Sequence, residues 1–226
     1  MGVILSVRDV RRGFLMGGET FWALRGISLD VEENKLTVFK GRSGSGKTTL
    51  MNILGALDYP TSGRVEFAGK PISEASERTR NIVRRDEMGF VFQSVALVSM
   101  LSAYENVELM LRISRYPKSE RRKRAEYCLE KVGLGGRMSH FPPELSGGEQ
   151  QRVAIARAIA PRPKVVFADE PTAELDSNTG LQVIKIFGEL IRDEGATVVM
   201  STHDPGLMEL ADRVYELVDG EVAGGA

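Results

Sequence analysis

Leu36-Thr37-Val38-Phe39-Lys40-Gly41-Arg42-Ser43-Gly44-Ser45-Gly46-Lys47-Thr48-Thr49-Leu50 holds the pattern from which the rest of the 226-residue chain can be read. The apolar run Leu36–Phe39 reads as a buried strand. It enters G-x-x-x-x-G-K-[ST], spanning Gly41, Arg42, Ser43, Gly44, Ser45, Gly46, Lys47 and Thr48, and a helical pattern opens after Gly46. Strand, glycine-rich loop and helix in this order make a cradle for phosphates. Glycine lets the backbone fold round an anion without a Cβ clash. The freed N–H groups and the helix N-terminus then face the charge. Lys47 is placed to reach the β- and γ-phosphates of a nucleotide, the Thr48 hydroxyl to ligate Mg2+, and Thr49 belongs to the same lining.

Outward from this loop, short apolar runs alternate with longer helical patterns, which predicts an α/β protein. Strands are expected at 3–7, 24–29, 36–39, 64–67, 90–92, 164–168, 197–200 and 214–217. The runs at 36–39, 164–168 and 197–200 are apolar almost throughout, as in a parallel sheet buried on both faces. Asp219-Gly220 after the last strand signals a hairpin. Helices are expected after Gly46, from Ser146 to about Ala160 before Pro161, and from Ser177 to Glu194 before Gly195. Between 94 and 143 the pattern turns helical, at Tyr104–Ile113 and Lys118–Val132, with no strand intervening. The expected organisation is one domain over 1–226, with residues 1–93 and 144–226 as core and 94–143 as an inserted helical lobe.

Two further stretches carry chemistry. Val165-Val166-Phe167-Ala168-Asp169-Glu170 is an apolar strand that ends in two carboxylates. Buried carboxylates need compensation, and a cation at this spot supplies it. Asp169 would hold Mg2+, and Glu170 would orient and deprotonate an attacking water. Leu145-Ser146-Gly147-Gly148-Glu149 opens a helix, with Ser146 and Glu149 spaced as a capping box. Its glycines beside a hydroxyl also make a second anion-ready helix N-terminus.

Composition narrows the classes. With 42% hydrophobic and 27% charged residues and a net charge of −1, the chain is an ordinary globular one without the basic excess of a dedicated nucleic-acid binder. The one cysteine, Cys128, shares an apolar stripe with Ala125, Leu129 and Val132, so it reads as a buried small hydrophobe and no intrachain disulfide can form. The longest uncharged stretch, Met88–Tyr104, is too short and too polar to span a bilayer.

With these motifs in hand, the chain resembles the ATP-binding cassette (ABC) proteins over essentially its whole length. LSGGEQQRVAIARA (Leu145–Ala158) looks like their signature stretch, and the other motifs follow in the family's order. The resemblance implies a P-loop NTPase, RecA-like core with an N-terminal antiparallel β part and an α-helical lobe. It implies ATP and Mg2+ as ligands and ATP hydrolysis as the activity. By position, Phe14 matches the aromatic that stacks on adenine and Gln93 the lobe-connecting glutamine that also reaches Mg2+. Leu175-Asp176 matches the loop after the acidic pair, and His203 the switch histidine at the γ-phosphate. Ser146, Gly147, Gly148 and Glu149 match the motif that faces the ATP of a second cassette, so a homodimer on ATP binding is implied. His140 matches no such position and reads as structural.

Within the family, ALRGISLDV (Ala23–Val31), GFVFQ (Gly89–Gln93), HFPPELSGGEQQRVAIARAIA (His140–Ala160) and ADEPTAELDSNTG (Ala168–Gly180) are similar to the lipoprotein-release, macrolide-export and antimicrobial-peptide-resistance group. A long connection over Arg11–Trp22 fits that group as well. The resemblance implies a separate integral membrane permease as partner and a peripheral place on the cytoplasmic face of the inner membrane. Export or lipoprotein extraction is the implied task, with cell-division-type mechanical signalling as the alternative. A DNA- or ribosome-acting cassette fits less well, since neither a long coiled coil nor a second cassette is present. Departures are Asn34-Lys35 for the usual Gly-Glu, the missing proline in Val98–Leu101, Ala173-Glu174 for Gly-Asn, and Phe14 for tyrosine. The Val95–Leu101 stretch, Tyr104, Met110 and Phe21-Trp22 are divided between core packing and partner contact, and Lys118–Arg124 reads as a solvated helix face.

Overall fold

A computed structural model of the chain describes residues 2–173, 175, 177–202 and 205–225. Its elements run β1 (Val3–Met16), β2 (Glu19–Glu32), β3 (Leu36–Lys40), α1 (Lys47–Leu54), β4 (Ser62–Phe67), β5 (Lys70–Pro71), α2 (Glu77–Glu87), β6 (Met88–Val91), α3 (Ala103–Ile113), α4 (Arg121–Lys131), α5 (Gly147–Ile159), β7 (Val165–Asp169), α6 (Ser177–Glu194), β8 (Thr197–Ser201), α7 (Pro205–Met208), β9 (Arg213–Val218) and β10 (Glu221–Gly225). They form two compact units, residues 1–84 with 197–226 and residues 85–196. The α/β class holds, with an antiparallel sheet of N-terminal strands and a separate set of parallel strands.

In the first unit the antiparallel sheet has the order β2-β1-β4-β5. β1 and β2 are longer than the sequence reading allowed. The expected connection over Arg11–Trp22 is a continuation of both strands, with Phe14 paired to Phe21 and Met16 to Glu19. The reason lies in Gly17 (φ 59°) and Gly18 (φ 89°). Positive φ at both central positions is what a two-residue hairpin turn needs to match the twist of its strands. The same unit packs β3 between β8 and β9, parallel to both, and β10 returns antiparallel along β9. β3 and β8 are buried along nearly their whole length, as continuous apolar runs predict.

α2 was not foreseen. Its sequence ERTRNIVRRDE carries no apolar stripe, and its one buried residue is Arg80. This guanidinium donates to the carbonyls of Ala56 (3.2 Å) and Asp58 (2.6 Å) and lies 3.5 Å from the centre of the Tyr59 ring. The helix is thus held to the loop after α1 by hydrogen bonds and a cation–π contact in place of apolar packing.

In the second unit β6 and β7 run parallel, and no strand lies between residues 94 and 143. α3 begins with a capping box between Ser102 and Glu105 and packs on α4 and α5. Cys128 is fully buried on α4 with Ala125, Leu129 and Val132, and burial pushes its thiol up to about 12. Arg124 departs from the expected solvated face. Its guanidinium donates to the carbonyls of Ala160 (3.0 Å) and Ile159 (2.9 Å) and pairs with Glu194 at 2.7 Å. The last carbonyls of α5 have no helical partners of their own, and Arg124 supplies the donors. Arg124→Ala would leave the Glu194 carboxylate and these carbonyls unpaired, and a loss of about 3 kcal/mol is expected in urea titration. An unchanged midpoint would mean that solvent replaces the guanidinium at no cost.

Candidate nucleotide site

The phosphate loop is shaped at two glycines. Gly41 (φ 151°) follows β3, and a Cβ there would lie 2.4 Å from the Leu217 carbonyl oxygen. Gly46 (φ 101°) caps α1 in the left-handed region, and a Cβ there would meet the Ala23 carbonyl oxygen at 2.6 Å. No other residue fits either position without moving backbone. Between them, Ser45 donates its N–H to Arg42 and its carbonyl accepts from Gly220. Arg42, Ser43 and Gly44 are exposed, and the space where a Gly44 side chain would sit is open.

Lys47 is buried. Its ammonium donates to the carbonyls of Gly41 (2.7 Å) and Arg42 (3.2 Å), and among the described residues no carboxylate pairs with it. The Ser45 hydroxyl is buried with no hydrogen-bond partner among the described residues. α1 has no acidic residue in its first turn, so the N–H groups at its start meet no competing anion from their own helix. A buried cation, an orphaned hydroxyl and a helix N-terminus together suit an anion rich in acceptor oxygens, such as a triphosphate. Thr48 is exposed and Thr49 half-buried in the first turn of α1. Phe14, on β1 of the same unit, is 38% exposed, and the Arg12 guanidinium lies 4.6 Å from its ring centre.

In the second unit, Asp169 ends the buried strand β7 and Glu170 follows with φ 45°. A non-glycine residue in the left-handed region costs energy and persists where the surroundings hold it. The register Val91↔Ala168 brings the carboxyl ends of β6 and β7 to one edge. Gln93, exposed, leaves β6 at the edge where Asp169 and Glu170 leave β7. Ligands of parallel sheets bind at such edges. Asp176 and His203 lie outside the described residues.

At the start of α5 the capping box is formed: Glu149 N–H donates to Ser146 Oγ (3.2 Å) and Ser146 N–H to Glu149 Oε2 (2.8 Å). The Ser146 N–H, with Arg137 and Arg152 nearby, holds the Glu149 carboxyl below its usual range. The two glycines differ in what they do. A Cβ on Gly148 would lie 2.7 Å from the Thr179 methyl, so Gly148 is needed for packing against α6. A Cβ on Gly147 would meet nothing within 4 Å, so its surface is open to a ligand.

Arg157, in the same signature stretch, had been given no role. Its guanidinium donates to the carbonyls of Ala96 (2.6 Å) and Val95 (3.2 Å), tying α5 to the loop that follows Gln93. Its signal in the sequence is an arginine set between alanines on an otherwise buried helix face. Residues Val98 and Met100 of that loop are exposed, as are Phe21 and Trp22, so these are not core.

No three His, Cys, Asp or Glu residues cluster as a metal site among the described residues. Among the described residues no helix is long and apolar enough to cross a membrane.

Comparison with known proteins bears on the family and the fold. The family described as ABC transporter matches residues 24–173. The chain is 49% identical to MJ1508 of Methanocaldococcus jannaschii, an uncharacterized ABC transporter ATP-binding protein, over 97% of each sequence. It is 43% identical to the macrolide export ATP-binding/permease protein MacB of Escherichia coli over 98% of its own length and 34% of MacB's. Among solved structures, the cassette MJ0796, a dimer in a post-hydrolysis state bound to ADP and Pi, superposes with a TM-score of 0.92 at 40% identity, covering 98% of this chain and 97% of that one. The cbiO1 protein of Clostridium perfringens, part of the transporter complex cbiONQ, matches with a TM-score of 0.90 at 30% identity, covering all of this chain and 89% of its own.

Proposed function

Because the chain belongs to the ABC transporter family and carries its ATPase domain, we propose that two copies close over ATP and Mg2+ to drive a separate membrane permease. The observation that carries the reading is the buried Lys47 ammonium in the loop where the Ser45 hydroxyl has no hydrogen-bond partner among the described residues, on a chain that keeps both Asp169 and Glu170.

Phe14 stacks on adenine, and residues 41–49 wrap the phosphates. The Lys47 ammonium exchanges its two carbonyl acceptors for β- and γ-phosphate oxygens, a stronger charge-assisted bond. Thr48, Gln93 and Asp169 hold Mg2+, which neutralises charge on the phosphate oxygens. Glu170 orients the attacking water and takes its proton. His203 contacts the γ-phosphate, and Asp176 belongs to the loop that meets the second copy. From that copy come Ser146, Gly147, Gly148 and Glu149. Since Ser146 Oγ accepts from Glu149 N–H, its own O–H stays available to donate to phosphate. Glu149 acts by fixing this geometry.

The whole of 1–226 serves as one cassette, with 94–143 as the helical lobe that meets the permease. The likeness to MacB supports export or extraction as the task. Membership of a transporter family supports a peripheral place on the cytoplasmic face of the inner membrane.

Two measurements test this. Tagged chain isolated from its native cells in mild detergent with ATP and Mg2+ should bring an integral membrane protein that raises its ATPase rate when both are placed in liposomes. Recovery of ribosomes or DNA-bound proteins alone would overturn the transport reading. Ser146→Arg should bind ATP as monomer with an unchanged Kd and lose at least tenfold in turnover, because the new side chain blocks closure. Wild-type turnover would remove the second copy from the site.

A further inference from the structure

The face of Phe14 turned toward Arg12 belongs to a built arrangement. Arg12 and Phe14 are two residues apart on β1, and their side chains meet although the pairing with β2 shifts register between Arg12 and Gly13. The Arg12 guanidinium lies 4.6 Å from the ring centre, within cation–π range. It is itself gripped by Asp58. Its Nη2 donates to Oδ1 at 2.9 Å, and its Nε lies 2.9 Å from Oδ2 as a close charge contact. About three quarters of the Arg12 side chain is out of solvent, which strengthens both contacts.

Asp58 is fixed in turn. Its N–H and that of Leu57 donate to the Asn52 carbonyl of α1. Its Oδ1 also accepts from Tyr59 N–H at 2.7 Å, and its carbonyl accepts from the buried Arg80 of α2 at 2.6 Å. The adjoining Thr61 bonds back to β1, its hydroxyl accepting from Gly13 N–H at 3.0 Å and its N–H donating to the Arg11 carbonyl at 2.8 Å. The strand beneath the ring and the cation beside it are therefore anchored by one loop, and that loop is the continuation of α1. The N-terminus of α1 opens the phosphate loop. Its eight residues span about 12 Å.

We infer that Arg12, held by Asp58, is a positioning residue for the nucleotide: it sets the Phe14 ring as a preorganised platform for adenine and couples that platform to the helix that carries the phosphates. This rests on the reading of Phe14 as the base-stacking ring. The role needs no contact of Arg12 with base or phosphate. It acts by holding the ring in one orientation, so that binding does not have to order it.

The test compares two probes on the intact chain by calorimetry with Mg2+: a non-hydrolysable ATP analogue (AMP-PNP) and inorganic tripolyphosphate, which has no base. Phe14→Ala should raise the Kd for AMP-PNP about tenfold and leave tripolyphosphate unchanged. Arg12→Ala should raise the Kd for AMP-PNP about fivefold, again sparing tripolyphosphate. Arg12→Lys should recover part of the loss, because a lysine keeps the cation but cannot span both Asp58 oxygens. In the Phe14→Ala background, Arg12→Ala should add nothing. If Phe14→Ala has no effect on AMP-PNP, the base-stacking reading itself falls. If Phe14→Ala weakens binding while Arg12→Ala does not, that reading stands and the positioning role is overturned. An Arg12→Ala loss that is equal for both probes, or that persists without Phe14, overturns it too.

Discussion

Glu170→Gln is expected to keep ATP affinity within about twofold while lowering turnover by two to three orders of magnitude, the usual worth of a general base. The substitution preserves shape and hydrogen-bonding capacity and removes the ability to take a proton. The left-handed backbone at Glu170, φ 45°, bears on this prediction. That conformation is tolerated by few side chains and sets the carboxylate at the end of β7, just past Asp169. Glutamine should accept the same backbone with the same strain, so folding and binding carry over and chemistry does not. Equilibrium binding of ATP together with single-turnover phosphate release checks both halves. Turnover at the wild-type rate would take the base away from Glu170. Loss of binding would show that the carboxylate serves the ground state.

Lys47→Ala is the second large effect. The ammonium is buried against two neutral carbonyls, an arrangement that solvates the cation only in part. A triphosphate brings the missing negative charge, so much of the binding energy of the loop passes through this one side chain. A rise of about 100-fold in the Kd for ATP is expected, with turnover lost. Stability should change little, because removing a buried cation that has no carboxylate partner among the described residues relieves as much desolvation as it loses in hydrogen bonding. Calorimetry with Mg-ATP and thermal unfolding of the free protein separate these terms. Unchanged affinity would mean that backbone N–H groups alone hold the phosphates. A collapse in Tm would mean that the lysine is a structural strut.

Much of the fold was legible where local chemistry is strong. The strands at 36–39, 164–168 and 197–200 announced themselves as nearly continuous apolar runs, and the helix from Ser177 to Glu194 by its stripe and its terminal glycine. The capping box at Ser146 and Glu149 is a signal four residues long and needs no tertiary partner to be read. What escaped depends on partners distant in sequence. α2 stays in place through Arg80, whose acceptors Ala56 and Asp58 lie more than twenty residues earlier. Arg124 looked like one charge in a solvated run, and its burial follows from α5 carbonyls and Glu194, 70 residues away. The β1–β2 hairpin was cut short because Phe14, Leu15, Met16, Phe21 and Trp22 show no alternation of apolar and polar residues, and each is exposed.

The candidate site divides in the same way. The loop from Gly41 to Thr48 and the pair Asp169-Glu170 could be found by spacing alone. That Gly148 is demanded by Thr179 while Gly147 is open could not, since α6 lies some thirty residues on. Arg12 and Asp58 had no motif to mark them, being 46 residues apart and ordinary in type.

The central claim, a nucleotide site completed by a second copy, is tested most directly by the mass of Glu170→Gln in solution. Light scattering with ATP and Mg2+ should show the 24.8 kDa chain doubling in mass. Addition of Ser146→Arg to the same chain should return it to the monomer with ATP still bound. A monomer under both conditions, with ATP bound and the wild type hydrolysing it at the same specific rate at every protein concentration, would contradict the account and place the whole active site within one chain.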